Sequence, residues 1–302
     1  MALVHAAVFA VQHKACGQQE QTAQGAACHC QPVCTGLVQG GGRNGSCGSS
    51  FRLCVLHDVL GSRSIELALF AIILAALLGI LFGVISAMKR NSILDQMVRA
   101  LSVTGVSIPS FWFALLVLYF FYYKLHIFPG PGRLSNRFSA PATVTGMYVI
   151  DSLIEGNPAK ALDALQHLIL PGLVLAAFTM GLITRTTRSN LLDVMSTDYI
   201  RTARAKGLSR VGLIVRHALG NALIPVLTVI GLGLGNLLGG MVLVETIFNW
   251  PGVGQFAYES VLSVDYPSII GVALLIALNY MVINTVVDIL YGVIDPRVRC
   301  NG

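Results

Sequence analysis

A basic segment between two apolar stretches carries the clearest chemical signal in this sequence. Residues 198–225, DYIRTARAKGLSRVGLIVRHALGNALIP, hold five Arg or Lys residues and a single acid. Bases at a membrane surface attract anionic lipid headgroups, at about 1 kcal/mol each. One interpretation of the segment is therefore a basic interfacial helix that rests on anionic lipid. Lipid binding does not account for the turn in this segment or for its string of small residues.

The apolar residues of this segment predict two short helices. They recur at spacings of mostly three and four, which places them on one helical face and leaves the bases on the others. Gly207 lies between the two halves and permits a sharp turn. Pro225 lacks a backbone donor, so we expect it at the first turn of the next membrane span. The apolar face comprises Ile200, Ala203, Leu208, Val211, Ile214, Val215 and Leu219.

The composition requires a membrane around most of the chain. Of its 302 residues, 55% are hydrophobic and 11% are charged, whereas soluble domains carry about 25% charged residues. Crossing a bilayer takes a helix of about 20 apolar residues. Five runs of suitable length predict five spans in an all-helical polytopic protein, at 66–88, 103–123, 168–184, 223–244 and 269–294.

Positive charge between these runs predicts their orientation, because cytoplasmic loops are rich in Lys and Arg. The outer loops are expected at 124–167 and 245–268, which are poorer in base. Five spans then leave residue 1 outside, an unusual arrangement unless a span is missing upstream. The expected cytoplasmic bases are Lys89, Arg90 and Arg99 after the first span, Arg185, Arg188, Arg201, Arg204, Lys206, Arg210 and Arg216 after the third, and Arg297 and Arg299 after the fifth.

Residues 1–64 differ from the rest of the chain. They hold six of the seven cysteines and no apolar run long enough to span a membrane. One interpretation is a zinc site in CHCQPVC at 28–34, although structural zinc sites usually add a second, distant pair of ligands. A disulfide-stapled outer segment would suit the even cysteine count. We favour a third interpretation, a frameshift or misplaced start, with native sequence resuming near Ser64.

Small residues and a few polar ones mark the later spans. Gly231, Gly235 and Gly239 recur every fourth residue, a pattern that lets helices pack closely and favours packing between subunits or a smooth pathway wall. Glu245 follows this span beside Asn249 and Trp250. An acid next to an aromatic anchor at a membrane surface is either a plain interfacial group or part of a functional outer loop.

The basic segment resembles the cytoplasmic signature loop of permease subunits in binding-protein-dependent ABC importers. Its RTARAKG and NALIP match the dipeptide and oligopeptide branch nearly letter for letter, whereas the Glu and Pro of the general family pattern are absent. The resemblance covers roughly 64–299. It extends to SIPSFW at 107–112, VETIFNWPGVGQ at 244–255, DYPSIIGV at 265–272 and VVDILYGVIDPRVR at 286–299.

The resemblance implies a type I importer permease fold with six spans in the family, of which five are visible here. It implies a transmembrane domain at 65–299 with a cytoplasmic coupling loop at 185–222, whose turn docks on an ATPase subunit. The implied ATPase-coupling residues are Asp198, Arg201, Ala203, Arg204, Lys206, Gly207, Leu208 and Arg210. The implied residues of the translocation path or outer gate are Glu245, Asn249, Trp250 and Gly235.

The resemblance further implies a transport subunit of the bacterial cytoplasmic membrane, and not an enzyme. Its expected partners are a homologous second permease, two cytoplasmic ATPases, an extracytoplasmic binding protein and the bilayer, with no nucleic acid. We expect no cofactor on this chain, because ATP and Mg²⁺ would bind the ATPases. Dipeptides or short oligopeptides are the expected cargo, and nickel or glutathione is the alternative.

Two other functional classes lack support in the sequence. A membrane enzyme would bring together acids, histidines or a nucleophile at membrane depth, and no such cluster is visible. A secondary transporter would show ionisable groups along several spans or an internal repeat, and the five runs show neither.

Overall fold

The structure, a computed structural model, describes residues 61–142 and 144–294, and this part of the chain contains helices and no strand. Two π-helical segments adjoin the α-helices: Leu118–Lys124 continues α3, and Ile214–Ala218 joins α7 to α8. The α-helices are α1 Gly61–Met88, α2 Ile93–Ser107, α3 Ser110–Val117, α4 Tyr148–Ile154, α5 Pro158–Met195, α6 Asp198–Ala205, α7 Arg210–Leu213, α8 Leu219–Gly240, α9 Val242–Ile247, α10 Val253–Leu262 and α11 Tyr266–Ile294.

Among the described residues, four helices are long and apolar enough to cross a membrane. They are α1, α5, the continuous helix Val211–Gly240 and the part of α11 at Tyr266–Val287. A fifth candidate consists of α2 and α3, which meet at an angle of 109°. The all-helical, polytopic membrane fold predicted from the sequence is confirmed. The N-terminal segment predicted at 1–64 lies almost entirely outside the described residues.

The bend between α2 and α3 falls inside the predicted span 103–123. Ile108 has an extended backbone with φ −80° and ψ 130°, and Pro109 follows it. A residue before proline is disfavoured in the helical conformation, and proline cannot donate a backbone hydrogen bond. The apolar run therefore continues across a point where the helix cannot, and the predicted span 103–123 corresponds to two helices that are joined at a bend.

Pro225 does not begin a helix, contrary to the sequence prediction. It lies inside α8, because α7 and the π-helical segment lead into α8 without interruption. Membrane helices tolerate an internal proline where neighbouring groups and local widening of the helix accommodate the lost hydrogen bond. The same holds for Pro171 inside α5, which runs for 38 residues.

Close packing of α1 on α5 forms the centre of the bundle. A Cβ atom added at Gly79 would lie 2.7 Å from Cγ2 of Ile183, and one added at Gly83 would lie 2.6 Å from Cβ of Thr187. Real side chains do not approach so closely, so these two positions require glycine. Small residues of this kind let membrane helices pack with their backbones near one another.

The glycine stripe of α8 packs mainly within the chain. Gly231 lies against Val287 and Gly235 lies against the ring of Tyr280, both of α11, whereas Gly239 faces open space. Two of the three glycines therefore pack helices of this chain together, whereas packing between subunits and a smooth pathway wall both stay predictions.

Gly83→Ala tests the contact between α1 and α5. The added methyl group meets the Thr187 side chain and the Thr184 carbonyl oxygen, so we expect a loss of about 1–3 kcal/mol in the free energy of unfolding, as for other overpacked sites. Gly239→Ala is the matched control, because it adds the same group in open space. Unfolding of the purified protein by SDS measures both, and equal midpoints would contradict the packing account.

Candidate functional site: the coupling segment and the outer cap

The coupling segment, residues 196–209, connects α5 to α7. Its helix α6 begins with Asp198, and an acid in the first turn complements the positive end of the helix dipole. The helix ends before Gly207, whose φ is +82°. A Cβ atom there would meet nothing within 4 Å, so glycine is required by the left-handed turn and not by lack of space.

One face of the coupling segment packs against the helical bundle. Ile200 is fully buried, and Ala203 packs beside it. The Nδ2 of Asn221 donates a hydrogen bond of 2.9 Å to the hydroxyl of Tyr199, which ties α6 to α8. The buried cluster beneath the segment consists of Ala87, Leu191, Ile200, Leu213, Ile214, Ala218 and Ala222.

The other face of the coupling segment is exposed and basic. Arg201, Arg204 and Lys206 are exposed. The pair between Arg201 and Asp198 has a separation of 3.3 Å, but its side chains are 76% and 94% exposed, and ion pairs in water contribute little stability. These charges therefore remain available to a partner. The side chain of Arg210 lies outside the described part of the structure.

The apolar face predicted for this segment is correct only in part. Ile200 and Ile214 are buried, but Val211 and Val215 are exposed and Leu213 is buried in their place. The prediction assumed that the same helical periodicity continues through Gly207. The turn there separates two helices, and the second helix has a buried face of its own. Leu208 is 39% exposed beside the turn.

A buried carboxylate joins three helices beneath this segment. Asp95 accepts hydrogen bonds from Nε and Nη2 of Arg188 at 2.8 and 2.9 Å, and also from the hydroxyl of Ser86. The backbone N–H of Asn91 donates to the same carboxylate at 3.0 Å. Bidentate pairing with arginine is among the strongest of protein hydrogen bonds. Helices α1, α2 and α5 are thereby fixed at the end of the bundle that carries the coupling segment.

The opposite end of the bundle carries both predicted outer loops. Arg133 donates to Glu66 of α1 at 2.7 Å and to the carbonyl oxygen of Gly146 at 3.1 Å. Its guanidinium group lies 3.6 Å from the ring centroid of Tyr148 and 5.1 Å from that of Trp250. Burial lowers the pKa of Arg133, and the Glu66 carboxylate opposes this shift. We call residues 125–157 and 241–265 together the outer cap.

A second buried carboxylate holds the outer cap to α1. Glu245 is fully buried and accepts a hydrogen bond of 2.7 Å from the hydroxyl of Ser64. It also accepts the backbone N–H groups of Gly254 and Gln255 at 2.7 and 3.0 Å. The first N–H groups of a helix have no acceptor within that helix, and these two lie in the first turn of α10. Glu245, which belongs to α9, therefore serves as an N-terminal cap of α10. Burial raises the pKa of Glu245, and the bonds from Ser64, Gln255 and Gly254 oppose the rise.

The residues predicted for the outer gate lie at two places. Glu245, Asn249 and Trp250 are together in the outer cap, where the indole N–H of Trp250 donates to the carbonyl oxygen of Arg63 at 3.1 Å. Asn249 is exposed with φ +48°. Gly235 is apart from them, within α8. Their place on the translocation path stays a prediction.

The sequence analysis missed several residues of these sites. Asp95 had a visible signal, because Ser92 and Asp95 form an S-x-x-D pattern at the start of α2. The sequence around Ser64, Glu66 and Arg133 carries no comparable signal, because the partners of these residues are far away in the chain. Arg188 was counted only as a cytoplasmic base.

The described residues form a helical membrane bundle with an exposed basic segment at one end and the outer cap at the other. Residues 79–299 match the profile of the family described as "Binding-protein-dependent transport system inner membrane component". The chain belongs to this family.

Relatives of this chain are transport permeases. It is 48% identical over 239 residues, 79% of its length and 70% of the relative's, to a probable D,D-dipeptide transport system permease protein of Escherichia coli K12. It is 46% identical over 236 residues, 78% and 71% of the two lengths, to a dipeptide transport system permease protein of Alkalihalophilus pseudofirmus. A dipeptide transport system permease protein of Haemophilus influenzae is 44% identical over 259 residues, 84% and 77% of the lengths.

Asp95→Asn tests the junction beneath the coupling segment. Breaking a buried ion pair costs 3–5 kcal/mol, and because the Arg188 side chain is partly exposed we expect a loss of roughly 3 kcal/mol. Asp198→Asn is the matched control, since it breaks an Asp–Arg pair that is exposed. Thermal melting in detergent measures both variants, and an unchanged midpoint for Asp95→Asn would contradict the assignment.

Glu245→Gln tests the effect of burial on this carboxyl. Because its pKa is raised above the ordinary 4.5, the folded protein binds this proton more tightly than the unfolded chain does. The free energy of unfolding should therefore fall as the pH rises from 4.5 through the raised pKa. Melting midpoints recorded across this range should fall less in the variant than in the wild type. Equal slopes would contradict the raised pKa, because they would show that the hydrogen bonds cancel the effect of burial.

Proposed function

We propose that this chain is one membrane subunit of an ATP-driven ABC importer that moves dipeptides or short oligopeptides across the bacterial cytoplasmic membrane. The observation that carries the proposal is the coupling segment, with an exposed basic surface around the left-handed turn at Gly207. Its loop sequence, and relatives named as dipeptide permeases, support the same conclusion.

The coupling segment docks on a cytoplasmic ATPase subunit. Its exposed bases steer and pair with acidic groups of that subunit, and Leu208 with Val211 offers an apolar centre. The open space around Gly207 lets the partner surface approach the backbone. ATP and Mg²⁺ bind the two ATPases, and this chain binds no cofactor of its own.

The remaining partners occupy the membrane and the outer face. A homologous second permease pairs with this chain, and the translocation path lies between the two subunits. An extracytoplasmic binding protein delivers the cargo to the outer cap. The bases that predicted the orientation support this arrangement, because the coupling segment lies at the expected cytoplasmic end. The path and outer-gate residues are Glu245, Asn249, Trp250 and Gly235.

The cargo is a dipeptide or a short oligopeptide, in preference to nickel or glutathione. The names of the relatives support this choice. Proteoliposomes that contain both permeases, both ATPases and the binding protein should accumulate a labelled dipeptide in an ATP-dependent manner. Accumulation of ⁶³Ni²⁺ or labelled glutathione with no dipeptide uptake would contradict the assignment.

Gly207→Asp tests the coupling role in the same proteoliposomes. We expect the variant to insert into the membrane but to lose the link between ATP hydrolysis and uptake, because the new side chain projects into the docking surface. Gly156→Asp is the matched control, since Gly156 also has a left-handed backbone, φ +76°, with open space around it, but lies in the outer cap. Gly156→Asp should still capture the ATPases and couple hydrolysis to uptake. Normal transport by Gly207→Asp would refute the proposed coupling role.

A further inference from the structure

Helix α1 contacts both functional ends of the molecule. Its 28 residues span about 42 Å at 1.5 Å per residue. At the inner end, Ala87 belongs to the buried cluster beneath the coupling segment, and Ser86 donates to Asp95. At the outer end, Ser64 and Glu66 bind separate parts of the outer cap. Arg63 adds a carbonyl oxygen that accepts from Trp250 and a guanidinium that donates to the carbonyl oxygen of Pro251. All of these links lie within the first two turns of α1.

Glu66 and Ser64 of α1 bind different parts of the outer cap. Glu66 accepts from Arg133 and from the backbone N–H of Val149 at 2.9 Å, which fixes the loop before α4. Ser64 holds the hairpin of α9 and α10. Its hydroxyl donates to Glu245 and accepts the backbone N–H of Val253 at 2.9 Å. One buried hydroxyl therefore links α1 to both helices of that hairpin.

The middle of α1 can carry a displacement between these ends. Its sequence contains no proline, the commonest cause of a sharp kink in a helix. Gly79 and Gly83 hold α1 directly against α5, and the Asp95 junction fastens the same two helices at the inner end. A movement at the coupling segment therefore displaces α1 and α5 as one unit.

We propose that α1 transmits movement of the coupling segment to the outer cap, and that Ser64 is the positioning residue that joins α1 to the hairpin of α9 and α10. The proposal rests on the proposed function, because it takes the coupling segment as the point where ATPase movement enters. When α1 shifts, the Ser64 hydroxyl moves the Glu245 carboxylate and the start of α10 with it. The hairpin then opens or closes in step with ATP hydrolysis.

Without the hydroxyl, the hairpin loses this connection. Ser64→Ala leaves the Val253 N–H unpaired and removes one of the three hydrogen bonds to Glu245 described above. The Glu245 cap on α10 keeps its two backbone donors, so the hairpin retains its own structure. Arg63 of α1 still accepts from the indole N–H of Trp250 and donates to the carbonyl oxygen of Pro251, so the hairpin stays attached to α1 through its turn. The start of α10 and the Glu245 carboxylate are no longer held by α1, which lowers the coupling of transport to ATP hydrolysis while ATP hydrolysis itself continues.

Ser64→Ala and Ser260→Ala form a matched pair for the test. Both serines are buried, at 3% and 5% exposure, but the Ser260 hydroxyl donates to the carbonyl oxygen of Phe256 in its own helix. The measurement is labelled dipeptide imported per ATP hydrolysed in proteoliposomes with all partner subunits. For Ser64→Ala we expect this ratio to fall about fivefold, the factor that one lost hydrogen bond produces in an equilibrium. For Ser260→Ala we expect no change.

A ratio for Ser64→Ala equal to that of Ser260→Ala would overturn the proposal. Ser64→Cys is the second variant and decides the question if Ser64→Ala does not assemble. Its thiol has a similar shape but is only a weak hydrogen-bond donor and acceptor, so a fall in the same direction is expected. An unchanged ratio in Ser64→Cys would also overturn the proposal.

Gly207→Asp in the same experiment separates the two proposals. If Gly207→Asp uncouples transport and Ser64→Ala does not, transmission through Ser64 is wrong and the coupling segment stands. If Gly207→Asp transports normally, the proposed coupling role fails, and transmission through α1 fails with it. If the wild-type complex shows no ATP-dependent dipeptide uptake, the proposed function itself fails.

Discussion

A buried backbone N–H must have a hydrogen-bond partner, and this requirement governs both ends of the helical bundle. Inside the membrane the helices satisfy their own backbone groups, but the first turn of each helix leaves donors without partners. Carboxylates supply the missing acceptors here. Glu66 accepts from Val149 at the start of α4, Glu245 accepts from two residues at the start of α10, and Asp95 accepts from Asn91 just before α2.

These carboxylates also join separate elements of the molecule to one another. Each one bonds a side chain of another helix or loop as well as the backbone, through Arg133, Ser64 or Arg188. Burial strengthens such hydrogen-bond networks when every polar group in them has a hydrogen-bond partner. The coupling segment has the opposite character, because only Ile200 is fully buried and its ion pair is exposed. A hydrogen-bonded bundle with one exposed segment that buries few residues is suited to receive a movement from a partner protein and to transmit it.

Local patterns in the sequence predicted the features that depend on local chemistry. The apolar runs located the membrane helices, because a span needs a continuous apolar length. Gly207 predicted the turn, because only glycine adopts φ +82° without strain. The bend at Ile108 also follows from local chemistry, because Pro109 disfavours the helical conformation in the residue before it. Val211 was predicted on the buried face but is exposed, because the periodicity of one helix does not continue through the turn at Gly207 into the next helix.

Contacts between distant residues could not be predicted from the sequence. Ser64 and Glu245 are 181 residues apart, and Arg188 and Asp95 are 93 apart. A lone acid beside an apolar run looks the same whether it faces water or caps a distant helix. The role of Glu245 as a helix cap therefore emerged only from the fold, although the resemblance had already drawn attention to the residue.

The central claim is that the coupling segment contacts an ATPase subunit, and site-specific photocrosslinking tests it most directly. A photoreactive amino acid at Leu208, beside the turn, should crosslink to an ATPase subunit in the assembled transporter. The same amino acid at Leu262, which is exposed in the outer cap, should not. Absence of an ATPase crosslink from Leu208 in the assembled complex, or an equal crosslink from Leu262, would contradict the account.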